Sequence, residues 1–442
     1  MAGTARGLIL AAPASGSGKT VLTLALLRHL RERGVRVAPL KAGPDYIDPA
    51  FHAAAAGRAC LNMDTWAMRP ATLAGLAARA GADSELILAE GVMGLFDGAA
   101  GAEAGGPGSS ADLARFTGWP VVLVVDAKGM GASAAALVQG FAGFQREHSL
   151  AGVLFNRVGG ARHEALLRAA CTPLGLPVLG CVPRDEDLVL PERHLGLVQA
   201  GEHAALEAFL ARAGEIVGAH IDVGALSGLA RVCVRAEDTP QAPVPPLGQS
   251  IAVARDLAFA FAYPHVLEGW RAAGAELCFF SPLADEAPPP EAEAVFLPGG
   301  YPELHAGRLA GNARFLEGLR GAAARGAVIY GECGGYMVLG QGLTDAEGAR
   351  HDMAGLLPLE TSFARPRRHL GYREVLLLDD GPLGAEGTRF RGHEFHFAEV
   401  LGAEGEAPLF RCRDSRGEDR GTTGSRIGSV FGSFLHLVDR VD

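Results

Sequence analysis

Through the first half of the chain, short apolar runs alternate with longer stretches whose apolar positions recur every three to four residues. Residues 7–12, 35–40, 85–90, 121–126, 152–156 and 177–182 read as strands, and helical patterns lie between them. That alternation predicts βα units around a parallel sheet. Most of these runs end in a polar or glycine-rich turn, and the carboxyl edge of such a sheet is where ligands bind. The segment 236–248 (AEDTPQAPVPPLG) has no periodicity and is rich in proline, so it reads as a linker. After it a second α/β pattern begins, with strands expected over 251–254, 276–280, 294–297 and 327–330 and helices over 263–273 and 312–325. From about residue 356 to 434 the apolar runs shorten between glycine turns, which predicts a partly antiparallel extension. The expected fold is α/β, with a phosphate-binding parallel-sheet domain over 1–235, the linker, and a second α/β domain over 249–442.

At 442 residues, 48% of them hydrophobic, the chain can bury more than one core. No apolar run reaches the roughly 18 residues of a membrane span, so no membrane partner is expected and the cytoplasm is the expected location. A net charge of −10 argues against a nucleic-acid binder, which needs a basic face. The seven cysteines form no CxxC pair, which excludes a zinc ribbon and gives no disulfide framework. Lysine occurs only at 19, 41 and 128, so each one is informative.

Ala12-Pro-Ala-Ser-Gly-Ser-Gly-Lys-Thr20 follows the first strand and opens a helix. Its backbone N–H groups, with Gly16 and Gly18 permitting the turn, suit phosphate oxygens. Lys19 would reach the β/γ-phosphates and Thr20 would ligate Mg²⁺. Pro13 stands where the strict pattern has glycine, so this is a variant P-loop. Asp45 and Glu90, at the ends of the next two strands, are placed to join Thr20 around Mg²⁺, and Lys41 to neutralise a phosphoryl group. Asn156, with Arg157, is placed to contact a nucleotide base, and Asp126 the water shell of the metal.

In the second half, Val328-Ile-Tyr-Gly-Glu-Cys333-Gly-Gly is a strand, a tight turn and a helix start. Glycines allow the strained turn of a nucleophile elbow, and the helix N-terminus favours thiolate. His436 is the candidate base, with His393 and His396 as alternatives. Gly299 and Gly300, in a second Gly-Gly turn, and Gly334 can supply oxyanion donors.

As an ordered set, the variant P-loop, GPDYIDP, EGVMGLFDG, LPERHLGL, LPGGYPE, GECGGYM and GHEFHF resemble the cobyrinate/hydrogenobyrinate a,c-diamide synthases of cobalamin biosynthesis. The resemblance runs over nearly the whole chain. It implies a dethiobiotin-synthetase-like first half and a class I glutaminase-like second half. The implied reaction amidates two carboxylates of a corrin-type macrocycle, through an acyl phosphate, with ATP, Mg²⁺ and glutamine. Its substrate is hydrogenobyrinate or cobyrinate; a homodimer is compatible with it. Cys333 becomes the glutaminase nucleophile and His436 its activator, with Tyr46, Asp48 and Asp97 near the synthetase site. Arg193, in LPERHLGL, is a candidate for the substrate's carboxylates. Arg365, Arg367 and Arg368 read rather as a solvated run. Ordinary class I glutaminases carry Glu two residues after the histidine; here Val438 stands there, so the group orienting His436 is unassigned. Two alternatives stay open: a relative amidating other corrin carboxylates or a nickel tetrapyrrole, and a P-loop ATPase with an inactive glutaminase-like domain.

Overall fold

A computed structural model describes residues 5–145, 150–190, 199–203, 205–233, 242–402 and 407–441, and the backbone of 192–193 and 196–197. The described residues form two compact units, 5–66 with 70–233 and 67–69 with 242–441.

The first unit is built on seven parallel strands: β1 (Arg6–Ala11), β2 (Val37–Ala42), β3 (Leu61–Met63), β4 (Leu86–Glu90), β5 (Val121–Asp126), β6 (Leu150–Val158) and β7 (Val178–Pro183). Their order is β3-β2-β4-β1-β5-β6-β7. The strands are largely buried, as a parallel sheet covered on both faces requires, and this is why they read as continuous apolar runs. β1 is central, with β2, β3 and β4 on one side of it and β5, β6 and β7 on the other. The turn after β1 therefore opens at the point where strand order reverses, the usual place for a ligand crevice. Helices α1 (Lys19–Glu32) and α2 (Asp48–Ala56) start directly at the ends of the β1 and β2 loops. The short strand β3 was not expected from the pattern; three residues carry no periodicity, and its place follows from pairing with β2.

In the second unit, Glu276–Phe280, Ser250–Ala254, Ala294–Leu297, Val328–Glu332 and Val430–Ser433 are neighbours in that order and parallel, with Ser425–Ile427 antiparallel at the edge. A five-stranded antiparallel sheet runs Asp419–Thr423, Phe410–Asp414, His369–Leu377, Arg389–His396, Leu435–Arg440. The chain passes from one sheet to the other at Phe434, which is buried between Val430–Ser433 and Leu435–Arg440. Of the proline-rich segment, 236–241 lie outside the described residues. In 242–248, Val244 and Leu247 are buried, and the Trp270 indole N–H donates to the Val244 carbonyl at 3.0 Å. Among the described residues no helix is long and apolar enough to cross a membrane. Cys60, Cys171, Cys181, Cys278, Cys333 and Cys412 form no disulfide.

Candidate functional site

At the switch point of the first sheet, Gly16 (φ 77°) and Gly18 (φ 87°) take the left-handed conformation that turns the loop into α1. Gly18 also faces the amide of Asn156, leaving no room for a Cβ. The Asn156 Nδ2 donates to the Ser17 carbonyl at 3.0 Å, so this side chain braces the loop. Asp126 accepts from Arg157 at 2.6 Å. A cleft of about 450 Å³ beside the loop is lined by Gly18, Val21, Asp126, Asn156, Arg157 and Arg184.

Glu90 is the hub of the other side. Its Oε1 accepts from Thr20 Oγ1 at 2.7 Å and Lys41 Nζ at 3.0 Å, and its Oε2 lies 2.6 Å from His52 Nε2. Burial alone would raise its pKa, but the Lys41 charge and the His52 hydrogen bond outweigh it, and Glu90 is held well below the usual carboxylate range. Burial pulls Lys41 down; Asp48, at 2.8 Å, and Glu90 win, and the ammonium is held. Lys19 lies in the same field and is lowered, chiefly by burial. Asp45 is raised to about 7 by burial and the neighbouring Asp48 charge, while its Oδ1 accepts from the Ile47 and Asp48 amides. Asn62 holds this turn through the Gly43 and Asp45 carbonyls. Tyr46 is buried within it. Asp97 is exposed and accepts from the Gly94 amide at 3.0 Å. The side chain of Arg193 lies outside the described residues. Arg365, Arg367 and Arg368 are exposed, as a solvated run would be.

In the second unit Cys333 sits between Val328–Glu332 and the helix Gly334–Leu339 at φ 48°, a conformation worth about 1–3 kcal/mol of strain for a non-glycine residue. Its amide donates to the Ser433 carbonyl at 2.8 Å, which ties the turn to the neighbouring strand. A Cβ on Gly335 would run into the Leu297 carbonyl, and one on Gly300 into that of Ala258, so both glycines are required for close backbone approach. The Gly300 nitrogen lies 3.0 Å from where a Cβ of Gly334 would stand. Gly299 separates the reactive groups: a Cβ there would be 3.2 Å from the Cys333 Cβ and 2.9 Å from His436 Nε2.

The expectation that the helix start yields a resting thiolate needs correction. Burial, with the charge of Glu303 next, pushes the Cys333 thiol up, and the Gly334 amide opposes this only in part. His436 is fully buried and is lowered to about 3 by burial and by His393, so it is a neutral imidazole. His393 is the cross-strand partner of His436 and is itself lowered to about 4 by burial and Arg373. His396 lies against Phe434, with ring centroids 4.0 Å apart, and its Nε2 is 3.3 Å from Glu394.

Two residues at these centres escaped the sequence reading. His52 follows GPDYIDP by three positions, and only its helical spacing from Asp48 aims it back at Glu90. Glu332 was visible as the residue before Cys333, but its neighbours come from a distant strand.

Residues 8–198 match the CobQ/CobB/MinD/ParA nucleotide binding domain, and residues 250–440 the CobB/CobQ-like glutamine amidotransferase domain. Fold and centres therefore define a glutamine amidotransferase joined to a nucleotide-binding domain. The chain is 57% identical over 438 residues to the hydrogenobyrinate a,c-diamide synthase of Brucella suis biovar 1, covering 98% of each chain. It is 56% identical over 436 residues to the protein of that name from Rhodobacter capsulatus, and 54% over 439 residues to that from a Sinorhizobium species, again with 98% of each chain covered. The chain belongs to the hydrogenobyrinate a,c-diamide synthase family.

Proposed function

We propose that this chain amidates the a and c carboxylates of hydrogenobyrinate, with ATP as activator and glutamine as nitrogen donor. In this reading residues 1–235 carry the activating step and residues 249–442 the glutaminase. The observation that carries it is the pairing of a strained, buried Cys333 with a neutral His436 across Gly299.

At the glutaminase, the Cys333 proton passes to His436 Nε2 as sulfur attacks the γ-carboxamide carbon. The Gly300 and Gly334 amides, with Gly299 leaving the space, receive the oxyanion. Collapse of the adduct expels the amine, which takes the proton from His436 and leaves as ammonia; water then cleaves the thioester to glutamate. His436 is preferred to His393 and His396 because its Nε2 faces the Gly299 gap beside Cys333.

In the first unit Lys19, Thr20 and the loop amides at Gly16 and Gly18 would hold the ATP phosphates, with the base near Asn156. The donors fit Mg²⁺: a hydroxyl and two carboxylates, the hard oxygens this ion takes. Thr20, Asp45 and Glu90 would hold it, and bound there it would neutralise phosphate charge. Asp45 is held protonated up to about 7 by burial and then by the Asp48 charge, and a bound cation would oppose both. Lys41 brings a fixed positive charge to the same place, and Tyr46, Asp48 and Asp97 border the acid-activating side. A substrate carboxylate attacks the γ-phosphorus, ADP leaves, and ammonia displaces phosphate from the acyl phosphate. ATP and glutamine as co-substrates favour the cytoplasm, and a homodimer is compatible with this reading, which sedimentation would check.

Diamide formation from hydrogenobyrinate tests this, measured with glutamine and with ammonium at saturating ATP. Cys333→Ala should lose the glutamine reaction and keep the ammonium reaction; Lys19→Ala should lose both. Glutamine-dependent activity in Cys333→Ala would refute the glutaminase assignment. Cobyrinate offered in parallel decides the metal-free preference.

A further inference from the structure

The glutaminase reading leaves one role open, since the buried Val438 stands two residues after His436 and offers no charge. A neutral imidazole has two tautomers, and only the one protonated at Nδ1 leaves a lone pair on Nε2 for the thiol proton. Something must favour that tautomer, and the buried groups around the ring can be surveyed.

Glu332 approaches it from the adjoining strand Val328–Glu332. Its Oε2 is 3.8 Å from His436 Nδ1. Its Oε1 is fixed by two donors, the Tyr330 hydroxyl at 2.9 Å and the Leu437 amide at 3.0 Å. Leu437 follows His436, so the carboxylate grips the very strand that carries the ring. Other groups also act on the ring: the Phe261 backbone hydrogen-bonds it and raises it, but carries no charge, and His396 lowers it. His393, from Arg389–His396, is a lowered histidine opposite His436, and Arg373 is cationic and paired with Glu394 at 2.6 Å. Glu303, Glu332 and Glu394 all raise Cys333, and of the three only Glu332 also lies within 4 Å of the His436 ring as an ion-pair partner.

We propose that Glu332 is the positioning residue of the glutaminase centre: its carboxylate receives the Nδ1–H of His436 and so turns the Nε2 lone pair toward Cys333. The inference rests on Cys333 and His436 acting as proposed above. The proton on Nδ1 stays with His436 throughout; only the thiol proton moves, to Nε2. Glu332 also meets the requirement that a group acting in the dry interior be held by other hydrogen bonds, since Tyr330 and Leu437 restrict its rotation. Burial raises Glu332 to about 8 against those two donors. The centre therefore gains its acceptor as the carboxyl ionises in that range, and glutamine hydrolysis should rise with pH there.

Glu332→Gln keeps the shape and removes the charge. The expected result is a fall in kcat for glutamine hydrolysis of about 10²–10⁴-fold, as for loss of an orienting acid. KM for glutamine should stay within about twofold, because substrate binding is untouched. The rise of kcat with pH near 8 should disappear, Glu332→Asp should recover part of kcat, and ammonium-dependent synthesis should be unchanged. Wild-type kcat with an unaltered pH profile in Glu332→Gln would overturn the proposal. So would an equal loss in Gln and Asp variants with KM raised, which marks a purely structural role. Cys333→Ala separates the levels: if it still hydrolyses glutamine the glutaminase reading itself fails, whereas a dead Cys333→Ala beside an unimpaired Glu332→Gln sinks only this inference.

Discussion

At Cys333 two demands oppose each other. A nucleophile needs the thiolate, yet burial pushes this thiol up while burial also holds His436 neutral at about 3. A standing thiolate–imidazolium pair is therefore disfavoured, and proton transfer belongs to the attack itself. Glutamine-free enzyme should be alkylated slowly by iodoacetamide at neutral pH, no faster than an ordinary thiol; fast labelling of Cys333 would contradict this. Glu90 shows the reverse balance, with charge partners overcoming burial. Glu90→Gln removes the negative charge on which Thr20, Lys41 and His52 converge. It should cut synthesis at least about 100-fold with either nitrogen source while the chain stays folded, a typical loss for a positioned charge. Near-normal turnover in that variant would remove Glu90 from the site. Glu332 adds a stability signature. The folded chain keeps its proton up to about 8, whereas the unfolded carboxyl releases it near 4.5. Its contribution is thus fully present below the lower value and is lost as pH rises through the upper one. Hydrogen exchange of the Val328–Glu332 amides should become faster from pH 5 to 8, beyond the intrinsic rate change, and Glu332→Gln should abolish that excess.

At the scale of elements, the turns do more than the strands. Gly335 lies against the Leu297 carbonyl, so Gly335→Ala must part the helix Gly334–Leu339 from the strand Ala294–Leu297. A loss of about 1–3 kcal/mol in the stability of the second unit is expected, in the range of overpacked cores. An unchanged denaturation midpoint would mean that the helix can shift freely. These turns were legible in the sequence, because glycine before a helix and after an apolar run has few other uses. Of the strands around Cys333, 294–297 and 327–330 were legible because buried parallel strands read as unbroken apolar runs, whereas Val430–Ser433, parallel to Val328–Glu332, was read as part of the antiparallel extension. The antiparallel sheet carrying His436 was seen only as an extension with turns. Its strands range from the exposed Asp419–Thr423 to the buried Leu435–Arg440, and the pattern of Arg389–His396 is broken by glycine and histidine. His52 and Glu332 were illegible as functional groups because their partners come from elsewhere in the fold: the first needed the β4 edge, the second the Leu437 amide on a strand of the other sheet.

Across the whole molecule the net charge of −10 would oppose the polycarboxylate substrate proposed for it. Local cations must reverse that field over a Debye length of about 8 Å at physiological salt. Lys19 and Lys41 are engaged with Glu90 and its neighbours, which leaves arginine for the macrocycle. Arg193→Ala should raise the KM for hydrogenobyrinate and leave that for ATP unchanged; an unaltered tetrapyrrole KM would shift the role elsewhere.

The long reach between Glu332 and Leu437, 105 positions apart, also sets an order in time. A ribosome releases Cys333 well before the strand that bears His436. A growing chain therefore presents a thiol without its base, after the entire nucleotide-binding unit has emerged and begun to fold. If Cys333 and His436 act as proposed, glutamine is not spent by unfinished molecules, and ammonia release begins only once the unit that consumes it has been made.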